Sequence, residues 1–243
     1  MSGRAWVLIV ALAAVAGGCA RRGVAVTAEP QPKAFGAAVV SVSGEKQVAG
    51  VGDQLDQPLV VQVNDAKSRP VAGALVRFAG SGGLSFQPDH ALTGSDGQLI
   101  TNVALGSLAG RYQVVASTMD AAGKRVEVRI EEIALGYQER LGQQLSAIHC
   151  VRCHDPESTP ERVSNHDNLT TKPHALTEGA VLNAISDANL AAFISHGGAA
   201  LNKSAEMPPY GGRLTKAEIE ALAAYIRAVS DPPYRSQGVF DAN

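Results

Sequence analysis

The sequence predicts a multi-domain protein, in which an all-β sandwich is followed by a small all-α domain. Residues 35–133 contain short runs in which apolar and polar residues alternate, as in half-buried strands. Residues 134–230 instead carry apolar residues at the spacing of amphipathic helices. The chain has 243 residues, which is enough for one large domain or two small ones. A short apolar run precedes both regions at the amino terminus.

The composition excludes two broad classes of protein. Hydrophobic residues make up 45% of the chain and charged residues 18%, as in an ordinary globular protein and unlike a wholly disordered one. The formal net charge is −2, so the chain has no excess of lysine and arginine for binding phosphate backbones. We therefore expect no nucleic-acid partner.

Residues 1–18 are interpreted as a removable signal peptide. Arg4 precedes an apolar run over residues 6–16, which is shorter than the roughly 20 residues that a transmembrane helix needs. The following Ala16-Gly17-Gly18-Cys19 resembles the lipobox of bacterial lipoproteins, a family cleaved before the cysteine, whose sulfur then carries diacylglycerol. The resemblance implies that Cys19 is lipidated and that residues 19–34 are a tether to a membrane. An ordinary secretory signal is the alternative.

The residue after Cys19 indicates which membrane holds the anchor. Lipoproteins that stay at the inner membrane of double-membraned bacteria commonly have aspartate at this position, whereas this chain has Ala20. The resemblance therefore implies an exported protein anchored in the cell envelope, at the outer membrane and facing the periplasm rather than at the inner membrane. Exposure at the cell surface is a further alternative.

Residues 35–133 predict a β-sandwich. Alternation is clear at residues 59–63, 112–116 and 126–130, and turn-forming pairs such as Asp96-Gly97 separate the runs. Short strands at this spacing are typical of a sandwich of about a hundred residues. The amino-acid sequence of the segment resembles that of bacterial immunoglobulin-like domains of the invasin and intimin type. The residues that carry the resemblance are 57–65, 70–78, 94–97 and 105–112.

The β region shows no catalytic constellation. Its histidine, His90, has no cysteine or clustered acid at ligand spacing, and the aspartates lack the alternating pattern of a calcium loop. They are most simply explained as turn residues. We interpret this domain as a spacer that holds the second domain off the membrane, with specific adhesion as the alternative.

The remaining cysteines form a CxxCH pattern. Of three cysteines in the chain, Cys150 and Cys153 lie together and His154 follows them. An isolated pair builds no disulfide framework, and a structural zinc site would need further ligands at suitable spacing. The pattern is instead the signal for covalent attachment of a c-type haem. Residues three apart share one helical face, so both thiols can reach one porphyrin, with His154 as the proximal iron ligand. A single pattern predicts one haem.

Met207 is the candidate for the distal iron ligand. The chain has three methionines, and the other two lie in the leader and in a strand-like segment. Two prolines after Met207 favour an extended chain there. The competing ligands are histidines, of which His174 and His196 are the strongest; the full set is His149, His166, His174 and His196.

Residues 135–229 resemble a class I cytochrome c. The resemblance depends on the CxxCH pattern, on Met207 downstream and on a carboxyl-terminal helix. It implies that Gly142 is the small residue at which the first and last helices cross, and Ser146 stands where the family usually has an aromatic residue. It also implies that a proline carbonyl orients His154. The sequence leaves this choice open between Pro156, Pro160 and Pro173.

The last helix can be predicted from the residues alone. Thr215 and Glu218 form the T-x-x-E pattern of a capping box. An apolar stripe follows, formed by Ile219, Leu222, Ile226 and Val229. Pro232 cannot continue a helix, so we expect the helix to end near residue 230 and residues 231–243 to form a tail. Apolar residues within 181–185 and 190–194 predict two shorter helices before it.

Together these interpretations imply a membrane-anchored mono-haem cytochrome that carries single electrons between redox proteins of the periplasm or envelope. With both axial positions filled, substrates could not easily reach the iron, so an electron carrier is expected rather than an enzyme. One alternative is a haem enzyme or gas sensor with an open iron site. Another is an adhesin-like binding module in which the cytochrome domain is secondary. The sequence names no electron donor or acceptor.

Overall fold

The computed structural model describes residues 29–160 and 162–235. The predicted signal peptide and the lipidation site Cys19 lie outside the described residues. Within the described ranges, no helix is long and apolar enough to cross a membrane. By contrast, the described residues include an apolar core for each of the two predicted domains.

The amino-terminal domain is a sandwich of two sheets. One sheet has the strand order β1-β3-β7-β5 and the other has the order β2-β9-β8-β4-β6. Paired strands are antiparallel, except that β2 runs parallel to β9. The strands are β1 Ala38–Ser43, β2 Val48–Gly50, β3 Leu59–Asn64, β4 Leu75–Gly80, β5 Ser85–Gln87, β6 His90–Leu92, β7 Gln98–Ala104, β8 Gly110–Met119 and β9 Arg125–Leu135.

The alternation in the sequence becomes the two faces of each strand. In β3, Leu59, Val61 and Val63 are fully buried between the sheets, whereas the residues between them are half-buried. The same period recurs in β7, which pairs with β3 so that Val61 lies opposite Leu99. The three alternating runs noted in the sequence lie in β3, β8 and β9, so the prediction of a β-sandwich is confirmed.

The carboxyl-terminal domain is helical, as predicted. Its last helix begins at the expected capping box, because the Thr215 side chain accepts the Glu218 amide and the Glu218 side chain accepts the Thr215 amide. Its apolar stripe is buried in the helical core. The helices are α1 Tyr137–His149, α2 Val151–His154, α3 Gly179–Leu182, α4 Asp187–His196 and α5 Lys216–Val229, with short 3-10 turns at His166–Asn168 and Ala199–Leu201.

The first and last helices cross at Gly142. A Cβ atom at this position would lie 2.0 Å from the Ala221 carbonyl oxygen and 2.7 Å from the Tyr225 Cβ atom. Only glycine lets the two backbones approach so closely, as the resemblance implied. One turn later Ser146 is almost fully buried, and its hydroxyl has no hydrogen-bond partner within the described ranges.

The two domains are in direct contact. Strand β9 ends at Leu135 and α1 begins at Tyr137, so a single glycine separates strand from helix, slightly after the boundary expected from the sequence. Arg111 of β8 donates hydrogen bonds to the carbonyl oxygens of Ala228 (3.0 Å) and Ser230 (2.6 Å) at the end of α5. These carbonyls have no partner within the helix, and a cation there is favoured by the helix dipole.

Parts of the predicted tether and tail pack against the domains. In the segment expected to be a tether, Lys33 and Ala34 donate backbone hydrogen bonds to the Gly73 carbonyl. In the segment expected to be a tail, Asp231 accepts an ion pair from Lys46 at 2.7 Å, and Tyr234 lies under the Arg227 guanidinium at 4.1 Å. The ordered structure therefore extends beyond both predicted limits.

Candidate haem-binding site

The CxxCH pattern lies at the end of α1 and in the short helix α2. Backbone hydrogen bonds continue the helix through the pattern, from the Cys150 amide to the Ser146 carbonyl and from the His154 amide to the Cys150 carbonyl. Cys150 and Cys153 therefore share one helical face. Both thiols are free and half-buried, so they are available to a group that packs on that face.

The two thiols lack the further ligands of a metal centre within the described ranges. Burial raises the pKa of Cys150 to about 11, and the neighbouring Cys153 adds to the effect. The group is therefore a neutral thiol at neutral pH. Within the described ranges, no group of three or more His, Cys, Asp or Glu side chains could hold a metal ion on its own.

His154 is oriented by a backbone carbonyl. Its Nδ1 atom donates a hydrogen bond to the His174 carbonyl oxygen at 2.7 Å. A carbonyl can only accept, so Nδ1 carries the proton and the lone pair of the neutral ring lies on Nε2. Burial lowers the pKa of His154, which favours this neutral form. The imidazole thus has the tautomer that binds iron through Nε2.

The orienting carbonyl corrects one expectation. The acceptor belongs to His174, the residue after Pro173, and not to Pro156, Pro160 or Pro173 itself. The carbonyl that faces the ring lies one residue after Pro173, the last of the three candidates. Sequence spacing alone could not distinguish these positions.

The two strongest competing histidines are engaged elsewhere or exposed. The imidazole of His174 contacts the Glu178 carboxylate at 2.9 Å, with about half of the side chain exposed. His196 is exposed at the end of α4. Their positions leave Met207 as the better candidate for the distal ligand.

Met207 lies on a loop that closes against the end of α4. Its carbonyl oxygen accepts the Gly198 amide at 3.0 Å. Gly197 has a φ of +73°, and a Cβ atom there would lie 2.7 Å from the Met207 carbonyl oxygen. The glycine pair therefore both turns the chain and makes room for the loop. Met207 itself is half-buried.

Two tyrosines complete the surroundings of the cysteines. The hydroxyl of Tyr210 donates to the His149 carbonyl oxygen at 2.9 Å, and burial raises the pKa of Tyr210, with a further contribution from Cys150 and Cys153. Burial likewise raises the pKa of Tyr225, which also senses Cys150. Tyr210 was not singled out in the sequence, although an aromatic residue three positions after the candidate ligand was a usable signal.

These residues fit a c-type haem. The domain offers two free thiols on one helical face, an imidazole with its Nε2 lone pair free to coordinate, and a thioether on a loop tied to the same elements. Apolar side chains surround this region, among them Leu145, Leu182, Leu190 and Ile194. A flat apolar ring with a central metal ion matches such a donor set.

The family comparison agrees with the geometry. Residues 138–226 match the model of the family described as cytochrome c oxidase, cbb3-type, subunit III. The helical domain is a cytochrome c domain. The match runs from the start of α1 into α5 and includes both cysteines, His154 and Met207, and it covers less than half of the chain. Membership of this domain class implies that the cytochrome c domain binds haem.

The amino-terminal domain resembles parts of bacterial adhesins in solved structures. The D00-D0 domain of intimin is 14% identical with a TM-score of 0.32, covering 45% of this chain and 51% of that chain. The D0-D1 domain of intimin is 16% identical with a TM-score of 0.30, covering 40% and 46%. Invasin, a bacterial integrin-binding protein, is 19% identical with a TM-score of 0.29, covering 40% and 19%. The chain thus spans about half the length of the intimin chains. Among curated proteins, none matches the chain.

Proposed function

We propose that the protein is a membrane-anchored mono-haem c-type cytochrome that carries single electrons between redox proteins of the cell envelope. The observation that carries the proposal is the orientation of His154. This residue directly follows two thiols on the same helical turn, and its Nδ1 proton is donated to the His174 carbonyl. We assign Cys150 and Cys153 as the covalent attachment points, His154 as the proximal ligand and Met207 as the distal ligand.

The residues support electron transfer rather than substrate chemistry. A bound c-type haem supplies a one-electron Fe(III)/Fe(II) couple. The thioethers of Cys150 and Cys153 would fix its position, and the His174 carbonyl would hold the His154 ring in one orientation. A methionine sulfur favours the reduced iron and so raises the potential. Because His154 and Met207 would both bind the iron, no ligand position would be left to a substrate.

The proposed location depends on the amino terminus. Lipidation of Cys19 would anchor the chain at the outer membrane, facing the periplasm, with the sandwich between the anchor and the cytochrome c domain. The partners would be envelope redox proteins that reach the cytochrome c domain. The contacts between the two domains support a sandwich that holds the cytochrome c domain at a set position rather than on a loose linker.

Two cysteine variants of the full chain test the covalent haem and the anchor separately. In Cys150→Ala/Cys153→Ala, haem staining on a denaturing gel should disappear while the protein stays with the membrane. In Cys19→Ser, haem staining should persist while the protein leaves the membrane fraction. Haem staining that survives the double change would contradict the assignment of the thiols. An unchanged membrane association of Cys19→Ser would contradict the lipid anchor.

Two variants of Met207 test the distal ligand. Axial ligation contributes to a range of about 0.8 V in haem proteins, so Met207→His should lower the midpoint potential on the order of 0.1 V while keeping six-coordinate iron. Met207→Ala should let carbon monoxide bind the reduced protein. A redox titration with absorption spectra measures both, and Met119→Leu in the sandwich is the matched control. Carbon monoxide binding to the unaltered protein would favour the open-site alternative.

A further inference from the structure

The loop that carries Met207 is held on its amino-terminal side by Glu206. The Glu206 carboxylate accepts the Thr170 amide at 3.0 and 3.1 Å from its two oxygens, and the Thr171 amide at 3.2 Å. It also accepts the Ser204 hydroxyl at 3.2 Å. The two threonines lie a few residues before His174, whose carbonyl orients His154. Glu206 thus joins the Met207 loop to the segment that orients the proximal histidine.

The same loop is held on its carboxyl-terminal side by Tyr210. The phenol hydroxyl donates to the His149 carbonyl oxygen at 2.9 Å, directly before Cys150. The Tyr210 ring packs on the His149 imidazole, with ring centroids 5.6 Å apart. The Tyr210 amide donates to the Ile194 carbonyl at 3.0 Å, which fixes the backbone against α4. Tyr210 thus joins the loop to the helix end that carries the thiols.

A methionine ligand makes such supports important. A neutral thioether is a weak donor to ferric iron, so the bond alone cannot hold a loop that favours another position. Bonds from backbone amides to a carboxylate are roughly twice as strong as neutral ones, and a phenol-to-carbonyl bond adds a directional support. Met207 lies between these two anchors in the sequence, so both act on its position.

We propose that Glu206 and Tyr210 are positioning residues that hold Met207 in place as the distal ligand. The proposal rests on the proposed function, because it needs Met207 to bind iron, and it adds two residues that the ligand assignment does not contain. Neither residue would touch the iron. Each acts by tying one side of the loop to the segments that carry Cys150 and orient His154.

Competition with imidazole measures how firmly Met207 is held. Free imidazole binds ferric haem only in molecules whose methionine has left, so its apparent dissociation constant reports the fraction of open loop. Each variant weakens one of the two supports, so we expect Tyr210→Phe and Glu206→Gln to bind imidazole roughly three- to tenfold more tightly than the unaltered holoprotein. The ferric sulfur-to-iron absorption band should weaken in parallel, and the double variant should show the larger change.

Matched controls separate positioning from general damage. Tyr234→Phe removes the hydroxyl of a ring that packs against Arg227, and Glu220→Gln removes an exposed carboxylate on α5, so neither should change imidazole binding. Covalent haem content and the far-ultraviolet circular dichroism of all variants should match the unaltered protein.

The outcomes distinguish this proposal from the ligand assignment. Suppose that the unaltered protein shows the sulfur-to-iron band. If both variants then keep the same band and the same imidazole affinity, the positioning roles are overturned and the ligand assignment stands. Absence of the band from the unaltered protein, with unchanged imidazole binding in Met207→Ala, would instead overturn Met207 as the ligand. If Glu206→Asp binds imidazole as weakly as the unaltered protein, whereas Glu206→Gln binds it more tightly, this would further support a role for the carboxylate itself.

Discussion

The two domains are stabilised in different ways, and the difference shows where the chemistry lies. The sandwich has a continuous apolar core between two sheets, to which nearly every strand contributes alternating side chains. The cytochrome c domain has a smaller apolar core around which thiols, an imidazole and two tyrosines are gathered. A domain with a continuous apolar core thus stands beside one whose polar and reactive groups lie close together.

The helices of the cytochrome c domain also differ from the strands in what they can sustain alone. Helices α2 and α3 have only four residues each. Isolated helices shorter than about 12 residues are marginal in water, so these turns depend on tertiary contacts. A covalently held haem would supply many of those contacts, whereas the sandwich needs no such group.

Loss of the haem should therefore unfold one domain and spare the other, which is the largest effect we expect. In Cys150→Ala/Cys153→Ala, most of the helical circular dichroism should be lost, while the amide resonances of the sandwich stay dispersed. The physical reason is that the longer helices α1, α4 and α5 also depend on one small apolar core, and loss of the haem would remove apolar contacts from it. A double variant that retains native helical content would contradict this view of the cytochrome c domain.

Among the buried residues described for the sandwich, Glu132 is the one that carries a carboxyl group. Glu132 of β9 has no exposed surface; one carboxylate oxygen accepts the Gln47 amide at 2.7 Å, and the other has no partner within the described ranges. Burial raises the pKa of Glu132 to about 8, against the lowering effect of the Gln47 amide, and Glu45 and Glu131 add to the rise. The folded sandwich therefore keeps a proton that the unfolded chain loses near pH 4.5.

The sandwich should thus lose stability as the pH rises from about 5 to about 8. One pKa unit corresponds to about 1.4 kcal/mol, so the loss of unfolding free energy should be on the order of 2–4 kcal/mol. Glu132→Gln cannot ionise and should flatten this dependence. Denaturant unfolding at several pH values measures it, with the exposed Asp56→Asn as the control. Equal slopes in Glu132→Gln and the unaltered protein would show that Glu132 does not titrate as stated.

The crossing of α1 and α5 sets a different limit on the cytochrome c domain. Gly142→Ala would place a Cβ atom 2.0 Å from the Ala221 carbonyl oxygen, which forces the helices apart. Overpacking of this kind costs about 1–3 kcal/mol of unfolding free energy. Gly212→Ala is the matched control, because a Cβ atom there meets nothing within 4 Å. Similar thermal midpoints for the two variants, followed by haem absorbance, would argue against a tight crossing.

The features that the sequence predicted are local ones. Strand alternation, the Thr215–Glu218 capping box and the CxxCH turn each depend on residues within a few positions of one another. The orienting carbonyl of His174 and the supports of Met207 by Glu206 and Tyr210 were not predicted. They join segments separated by long loops, whose paths no short pattern specifies. The inward position of Glu132 follows from the period of β9, but its burial depends on the packing of β2.

The contact between the domains also could not be predicted from the sequence, because Arg111 and the end of α5 lie far apart in the chain. Besides the carbonyls of Ala228 and Ser230, the Arg111 guanidinium pairs with Glu131, which holds it in place on the sheet. A residue of the sandwich thus donates hydrogen bonds to carbonyl groups at the end of a helix of the cytochrome c domain. We therefore expect the sandwich to stabilise the cytochrome c domain through this contact.

Arg111→Ala should remove the stabilisation that the sandwich gives to the cytochrome c domain, and this is the smallest effect we expect. The variant leaves the two carbonyls at the end of α5 to water and removes a cation from the negative end of the helix dipole. Since the guanidinium is partly exposed, the cytochrome c domain should lose about 1 kcal/mol, with its haem absorbance transition moving to lower temperature.

The control for this variant is Arg129→Ala, which removes an arginine that pairs with Glu127 and Gln113 within the sheet. Its haem transition should stay where it is in the unaltered protein, because Arg129 makes its hydrogen bonds inside the sandwich. Equal shifts in the two variants would mean that Arg111 acts through the sandwich itself. A shift confined to Arg111→Ala would show that the carboxyl-terminal helix of the cytochrome c domain is capped by the sandwich.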